Sequence, residues 1–271
     1  MLKFVSFSSG SCGNCSYLGD ENGAVLIDAG ISFRRLKEGF ARFNLDMSSV
    51  KAVLVTHDHL DHIRNLEMYC RKLQLPIYAT AKLHDALSHH SFTRLSVPAY
   101  ARVMPAGESV TIGGMEVKWF EVPHDATHTV GFSISTQDHV FVIMTDVGRM
   151  TDEAVEYARK ADTLVIESNY DLQMLLAGSY PYELKMRIIQ GCGHMSNDEC
   201  ADALKRIWHK GLKNIFLCHL SENNNTPEQA IATAKAALEE IGVAAGQASG
   251  DVPVVSLRHL PRHVPSGLFT L

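Results

Sequence analysis

Seven consecutive residues, Thr56-His57-Asp58-His59-Leu60-Asp61-His62, gather three imidazoles and two carboxylates directly after the apolar run Ala52-Val53-Leu54-Val55. The run is rich in β-branched residues and reads as a buried strand, so the cluster falls where a strand ends and the chain turns toward a helix. Neutral imidazoles and carboxylates suit a divalent metal of intermediate hardness, and His-x-His-x-Asp-His puts four such groups on one short loop. Ordinary turns favour Gly, Asn, Asp and Ser over imidazole, so a merely solvated turn accounts poorly for this composition.

Around the cluster, strands and helices come in two batches. The first holds strands over Lys3–Phe7, Cys15–Leu18 and Ala24–Asp28, with Gly-rich turns between them, the signature of a β-meander. A helix over Ser32–Phe43, the strand before the cluster, a helix over Ile63–Leu73, a strand at Ile77–Ala79 and a helix near Ala81–Leu87 follow. The second batch opens with strands at Ser109–Ile112, Met115–Phe120, Gly131–Ser135 and Val140–Met144. It then alternates helix Asp152–Arg159, strand Thr163–Glu167, helix Asn197–His209, strand Asn214–Cys218 and helix Pro227–Ile241. Two sheets packed face to face with helices outside satisfy this order, because each sheet face must be covered by another layer. From Asp251 onward a C-terminal extension holds one strand candidate, Val252–Ser256, and a tail to which no structure is assigned.

At 271 residues the chain is near the upper end for one core, and with no linker-like stretch or internal repeat it reads as a single domain over 1–271. Its 46% hydrophobic and 20% charged residues are those of an ordinary globular protein. No apolar run approaches the roughly 18 residues needed to span a bilayer, and the first residues lack a secretory signal, so the expected location is cytoplasmic. The scattered Cys12, Cys15, Cys70, Cys192, Cys200 and Cys218 fit reduced thiols better than a disulfide framework. A net charge of −5 argues against a broad basic surface, and Lys185 with Arg187 and Lys205 with Arg206 read as solvated helix faces.

Further along, ionisable residues again stand at or just past predicted strand ends: His124, Asp146, Glu167 and His219. Groups held at one sheet edge converge on a common site, and this recurrence is more informative than any one residue. His194 lies in a Gly-rich turn before a helix for which Ser196 is the expected N-cap, and a helix start can hold an anion through its free amides. His194 is accordingly the candidate for proton donor or phosphate contact, and Glu167 either orients another group or caps its strand. His128, four residues beyond His124, is read either as a cleft residue or as a plain loop histidine.

These residues resemble the metallo-β-lactamase superfamily over nearly the whole chain. The resemblance implies an αββα four-layer sandwich, an α/β fold of two packed mixed sheets flanked by helices. Position by position it implies that His57, His59 and His124 bind one metal, that Asp61, His62 and His219 bind a second, and that Asp146 bridges them. Asp28 matches the family's buried aspartate that orients a ligand from behind. Within the superfamily, the small nuclease-like branch typified by the YycJ (WalJ) proteins is similar in Ser8-Ser-Gly-Ser-Cys-Gly-Asn14, Pro123-His-Asp125, Glu167-Ser-Asn169, Gly193-His-Met-Ser-Asn197, and His219-Leu-Ser221 with Asn224. That likeness implies substrate contacts from His194, Ser196 and Asn224, with Asp61 and His194 essential to turnover.

Two divalent ions roughly 3.5–4 Å apart can share a hydroxide nucleophile and neutralise charge on a phosphodiester. The expected activity is phosphodiester hydrolysis, with a DNA exonuclease of 5′ to 3′ polarity implied by the branch. A small-molecule phosphodiesterase and a glyoxalase II-like thioester hydrolase are the alternatives. All the implied ligands are N or O donors, so Zn, Mn and Fe remain open. The stretch from Asp146 to His219 is too short for the large cap domain of other nucleases, which implies an open cleft.

Overall fold

A computed structural model describes residues 1–246 and 252–271, with the backbone alone at 191 and 192. Asp251 and the Cys192 side chain therefore lie outside the described residues. The first half runs β1 (Lys3–Ser8), β2 (Cys15–Gly19), β3 (Ala24–Ile27), α1 (Phe33–Arg42), β4 (Val50–Leu54), α2 (Leu60–Ile63), α3 (Leu66–Leu73), β5 (Ile77–Ala79), α4 (Ala81–His89), α5 (Val97–Tyr100) and β6 (Ala101–Val103). Next come β7 (Val110–Ile112), β8 (Met115–Glu121), β9 (Val130–Ser135), β10 (Val140–Met144), α6 (Asp152–Ala158), β11 (Thr163–Glu167), α7 (Leu172–Ala177) and α8 (Tyr182–Arg187). The chain closes with α9 (Asn197–Ile207), β12 (Asn214–Cys218), α10 (Pro227–Glu240), β13 (Ala244–Ala245), β14 (Val254–His259) and β15 (Phe269–Thr270).

Among the described residues one sheet has the order β15-β1-β2-β3-β4-β5-β6 and the other β13-β14-β12-β11-β10-β9-β8-β7. Alternation along single strands shows why there are four layers. Ala52 and Leu54 of β4 join Phe132, Phe141 and Phe216 between the sheets, while Val53 and the Val55 that follows the strand join Leu36 of α1 and Tyr69 of α3 outside. On β12, Phe216 points into the same inter-sheet core, whereas Ile215 and Leu217 pack with Ala203 of α9 and Ala234 of α10. Strands buried on both faces read as continuous apolar runs, which is how Ala52–Val55 of the β4 segment and Ile215–Cys218 of β12 look in sequence. Phe4 ties the layers together, its ring centroid 5.0 Å from Phe141 and 5.3 Å from Phe216. Truncating such a ring to alanine costs about 3–5 kcal/mol.

Pairing within β3-β4-β5-β6 and within β10-β11-β12-β14 is parallel, so the C-terminal ends of β3 and β4, and those of β10, β11 and β12, lie at one edge of their sheets. In parallel sheets that edge is where functional loops gather. No helix among the described residues is long and apolar enough to cross a membrane. Cys12 is an exposed free thiol, and Cys15, Cys70, Cys200 and Cys218 are buried ones.

Several expectations are corrected. The helix expected over Ile63–Leu73 is broken into α2 and α3 at Asn65, whose backbone (φ −111°, ψ 8°) leaves the helical region. There the Asn65 amide donates to the Ala29 carbonyl at 2.9 Å and its side chain to the Gly30 carbonyl at 3.0 Å, so a tertiary anchor overrides helical propensity. β14 is shifted from Val252–Ser256 to Val254–His259, because its register on β12 pairs Ser256 with Asn214 and His259 with Leu217. The tail is structured: Phe269 and Thr270 pair with Phe4 and Lys3 at the edge of the first sheet. α7, α8 and a π-helical turn at Ile188–Cys192 fill the stretch between Glu167 and His194 to which no element had been assigned.

Candidate metal centre

At the end of β3, Asp28 begins the support of the site. Its carboxylate accepts from the Thr56 amide at 2.9 Å, from the Thr56 hydroxyl at 2.9 Å and from Nδ1–H of His62 at 2.7 Å. The Thr56 hydroxyl, having given its proton to Asp28, can only accept from Nδ1–H of His57, 3.0 Å away. His57 is thereby fixed as the tautomer whose lone pair is on Nε2, and that atom is buried without a hydrogen-bond partner. Burial, and after it the neighbouring His62, hold the His57 imidazole well below its usual pKa, so protonation does not satisfy the atom either.

A second feature has the same meaning. His59 directs Nε2 at the Asp125 carbonyl, 3.3 Å away, and His124 donates from Nδ1 to the Gly193 carbonyl at 2.5 Å. Their other nitrogens, His59 Nδ1 and His124 Nε2, face each other at 3.2 Å. Two lone pairs at that separation repel unless a cation lies between them, and with His57 Nε2 they make a three-imidazole set.

Asp61, His62, Asp146 and His219 form an adjoining set. His62 Nε2 stands 3.5 Å from Asp61 Oδ2 and 3.2 Å from Asp146 Oδ2, and His219 Nε2 is 3.4 Å from Asp61 Oδ2. Asp146 reaches both sets, since its Oδ1 lies 3.8 Å from His124 Nε2. Burial would raise the Asp61 and Asp146 carboxyls, but the imidazoles beside them outweigh it and hold both well below the usual range. Burial would likewise depress His219, and the Asp146, Asp61 and Glu167 carboxylates overcome it, lifting the group to about 10.

Asp28, Asp146 and His219 share an uncommon backbone, with φ of 64°, 53° and 53°. The left-handed conformation costs a residue with a Cβ about 1–2 kcal/mol, and it turns each chain sharply at its strand end. Glu167, fully buried at the end of β11, is the support of the other sheet. Its Oε1 accepts from Nδ1 of His194 at 2.8 Å and of His219 at 3.1 Å, while Oε2 accepts from the amides of Val147 at 2.7 Å and Met195 at 3.2 Å. These hydrogen bonds account for the close grouping of Asp146, Glu167, His194 and His219 without a further cation.

Beside the two sets lies a cleft of about 320 Å³, lined among others by His59, His194, His219, Asn224, Arg187 and Arg262. The structure thus brings His57, His59, Asp61, His62, His124, Asp146 and His219 together, with His194 at the cleft and Asn224 in its wall. It does not bring Ser196 there. That hydroxyl caps α9, accepting from the Glu199 amide at 3.1 Å and donating to Glu199 Oε2 at 2.8 Å in a capping box. His128 also stays out of the cleft, held between Thr80 and Glu121 at 2.7 Å each. Arg187, expected on a solvated face, is 62% exposed and also lines the cleft, where it pairs with Asp125.

Sequence reasoning assigned no role to Asn14, Thr56, Asp125 or Arg262. Asn14 exchanges hydrogen bonds with both backbone groups of Gly10, which fixes its amide orientation and aims Nδ2 at Asp61 Oδ2, 3.1 Å away. Asp58, within the cluster, clamps the loop after His124 by accepting from the Thr127 amide at 3.1 Å. Asn14 and Asp125 do stand inside the motifs quoted above. Arg262 carries no local signal.

A model of the beta-lactamase superfamily domain matches residues 24–219. Over 248 residues the chain is 34% identical to the exodeoxyribonuclease YycJ of Bacillus anthracis, covering 91% of this chain and 93% of that protein. Over 229 residues it is 33% identical to the exodeoxyribonuclease WalJ of Streptococcus pneumoniae, covering 84% and 85%. The solved structure of the metallo-beta-lactamase fold protein YhfI from Bacillus subtilis is similar with a TM-score of 0.67 at 16% identity, covering 98% of each chain. Two strand-end supports, a His/Asp cluster able to hold metal and this likeness over most of the length lead to one conclusion: the chain belongs to the metallo-β-lactamase superfamily, in its YycJ-like branch.

Proposed function

We propose that the chain is a metal-dependent nuclease that hydrolyses phosphodiester bonds, acting on DNA as an exonuclease with 5′ to 3′ polarity. One observation carries the reading: the relatives named exodeoxyribonucleases match this chain over most of its length. The buried His57 Nε2, orphaned among metal-ligating groups, supports it. DNA as substrate fits a cytoplasmic enzyme.

In this reading His57 Nε2, His59 Nδ1 and His124 Nε2 would hold one divalent ion, and Asp61, His62 Nε2 and His219 Nε2 would hold another, with Asp146 within reach of both sets. The N and O donor set accommodates Zn, Mn or Fe. Such ions, when bound, polarise a phosphoryl oxygen and make water acidic enough to attack near neutral pH. Asp28 and Glu167 keep the rings of His62 and His219 in their orientation and tautomer by accepting Nδ1–H. His194 gives Nδ1–H to Glu167, which leaves Nε2 as the nitrogen available to the cleft. Burial would lower this imidazole, but the Glu167 carboxylate outweighs it and raises it, which favours the protonated form of His194. It is then able to donate a proton to the leaving oxygen or to bind the phosphate. Asn224 adds an amide to the cleft wall.

The test is a side-by-side assay of protein loaded with Mn or Zn on 5′-phosphorylated duplex DNA, single strands, RNA, bis(p-nitrophenyl) phosphate and a glutathione thioester. Cleavage of DNA from its 5′ end is the expected result. Thioester turnover with no phosphodiester cleavage overturns the reading.

A further inference from the structure

Arg262 reaches the cleft from beyond β14, far along the chain from the ligand residues. Its backbone is strapped to the start of the chain: the Ser9 amide donates to the Pro261 carbonyl at 3.1 Å, and the Ser8 hydroxyl to the Arg262 carbonyl at 2.5 Å. Space is reserved for its side chain. A Cβ on Gly10, whose φ is +154°, would lie 2.5 Å from Arg262 Nη1 and 2.9 Å from its Cγ.

The guanidinium is poorly compensated. Only 13% of the side chain is exposed. Nη1 donates to the Leu220 carbonyl at 2.8 Å and Nη2 to the Ser11 hydroxyl at 2.9 Å, both neutral acceptors. The Nε–H is buried and meets no acceptor. Its carboxylate neighbour, Glu222 Oε2, stands 3.7 Å away, and the other Glu222 oxygen faces His263 at 3.4 Å. Arg187 on the same cleft differs, for its charge is met directly by Asp125. A largely buried cation without a hydrogen-bonded counter-charge favours an anion, and a guanidinium fork suits phosphate oxygens.

We infer that Arg262 and Ser11 form a phosphate subsite separate from the metal centre, which takes a phosphate of the substrate strand next to the bond being cut. The inference rests on the nuclease reading. Ser11 and Arg262 line the same cleft as His59, His194 and His219, a space of about 320 Å³ and so of nucleotide size. Two sources offer the same chemistry, a terminal monoester and an internal diester of the strand.

A ligand with two phosphates and no diester tests the subsite without turnover. Thymidine 3′,5′-bisphosphate and thymidine 5′-monophosphate are titrated calorimetrically into Mn-loaded wild type, Arg262→Gln, Arg262→Lys and Ser11→Ala, with metal content and Tm measured alongside. Arg262→Gln should weaken the bisphosphate about tenfold more than the monophosphate, with Arg262→Lys recovering much of the loss. Equal weakening of both ligands, or none, overturns the subsite; equal weakening with lost metal would mark a purely structural arginine. Cleavage of 5′-phosphorylated and 5′-hydroxyl oligonucleotides by Arg262→Gln then separates the sources. A loss confined to the phosphorylated strand assigns the terminal monoester, and a loss on both assigns the internal diester. Wild type that binds the bisphosphate through Arg262 yet cuts no diester would overturn the nuclease reading and not the subsite.

Discussion

Glu167 Oε1 lies 2.8 Å from Nδ1 of His194, and the same oxygen takes Nδ1–H of His219 at 3.1 Å. One buried carboxylate therefore sets the direction of a proposed ligand and of the cleft histidine together. Its two further bonds, to the amides of Val147 and Met195, tie this control to the loops after β10 and before α9. A small change at Glu167 consequently acts on chemistry that Glu167 does not touch.

Glu167→Gln keeps the shape and removes the charge that raises His194. The imidazole then loses its proton at lower pH. Since the proposed role of His194 uses its protonated form, the alkaline limb of kcat/KM on a phosphodiester should move to lower pH and the rate should fall roughly 10- to 100-fold. A pH–rate profile with the limb unmoved removes His194 from the role of proton donor.

Asp61→Ala and His194→Ala should separate holding metal from handling substrate. Asp61 stands in the cationic pocket of His62 and His219, so its loss should lower bound metal and abolish turnover. His194→Ala should lower turnover while metal content, read by elemental analysis, is retained. Loss of metal in the second variant would reassign His194 as a ligand.

Asp28→Ala leaves Nδ1–H of His62 and the Thr56 hydroxyl without their acceptor, and His57 loses the constraint on its tautomer. Metal affinity should drop 10- to 100-fold, about the penalty known for removing a support behind a ligand. Asp28→Asn, which tolerates positive φ, should recover part of it. Competition against a chromogenic chelator measures both.

Metal uptake should release protons and strengthen with pH. His219 is raised to about 10, so in the metal-free protein it keeps its proton at neutral pH and a cation must expel it. The linkage to stability has the opposite sign. A raised imidazole stabilises the metal-free fold fully below its unfolded value of 6.5, and that contribution is lost as pH climbs through about 10. Tm with chelator should therefore decline over this range while apparent metal affinity rises. Titration calorimetry in two buffers of different ionisation enthalpy counts the protons.

Gly30→Ala places a Cβ against the Asp61 carbonyl and 2.5 Å from the Asn14 amide, both backbone atoms. These same groups hydrogen-bond each other at 2.7 Å and carry the Asn14 support of Asp61. A loss of about 2–4 kcal/mol by denaturant unfolding, with weaker metal binding, is expected. A silent substitution would show that this junction yields more easily than its packing suggests.

Much of the layering was legible. β4, β10, β11 and β12 announce themselves as apolar β-branched runs because both of their faces are buried, and the ionisable residues beyond them mark strand ends. The stretch over α7, α8 and the π-helical turn was not legible, because its helices are too short to show a period. The break at Asn65 was equally hidden, since what competes with the helix there is a pair of carbonyls at Ala29 and Gly30.

By itself the sequence determined which groups are available to hold metal, because ligand chemistry is a property of residue type and the motif concentrates it on one loop. Only the tertiary structure decided their roles. Tautomer and lone-pair direction depend on the partner of the opposite ring nitrogen, and those partners, Thr56 with Asp28 for His57 and Glu167 for His194 and His219, are set by how strands align. Folding also turned the tail into a site wall. Pairing of β15 with β1 and of β14 with β12 carries Arg262 to the cleft, and a long-range hydrogen-bonded register leaves no mark on the residues around an arginine.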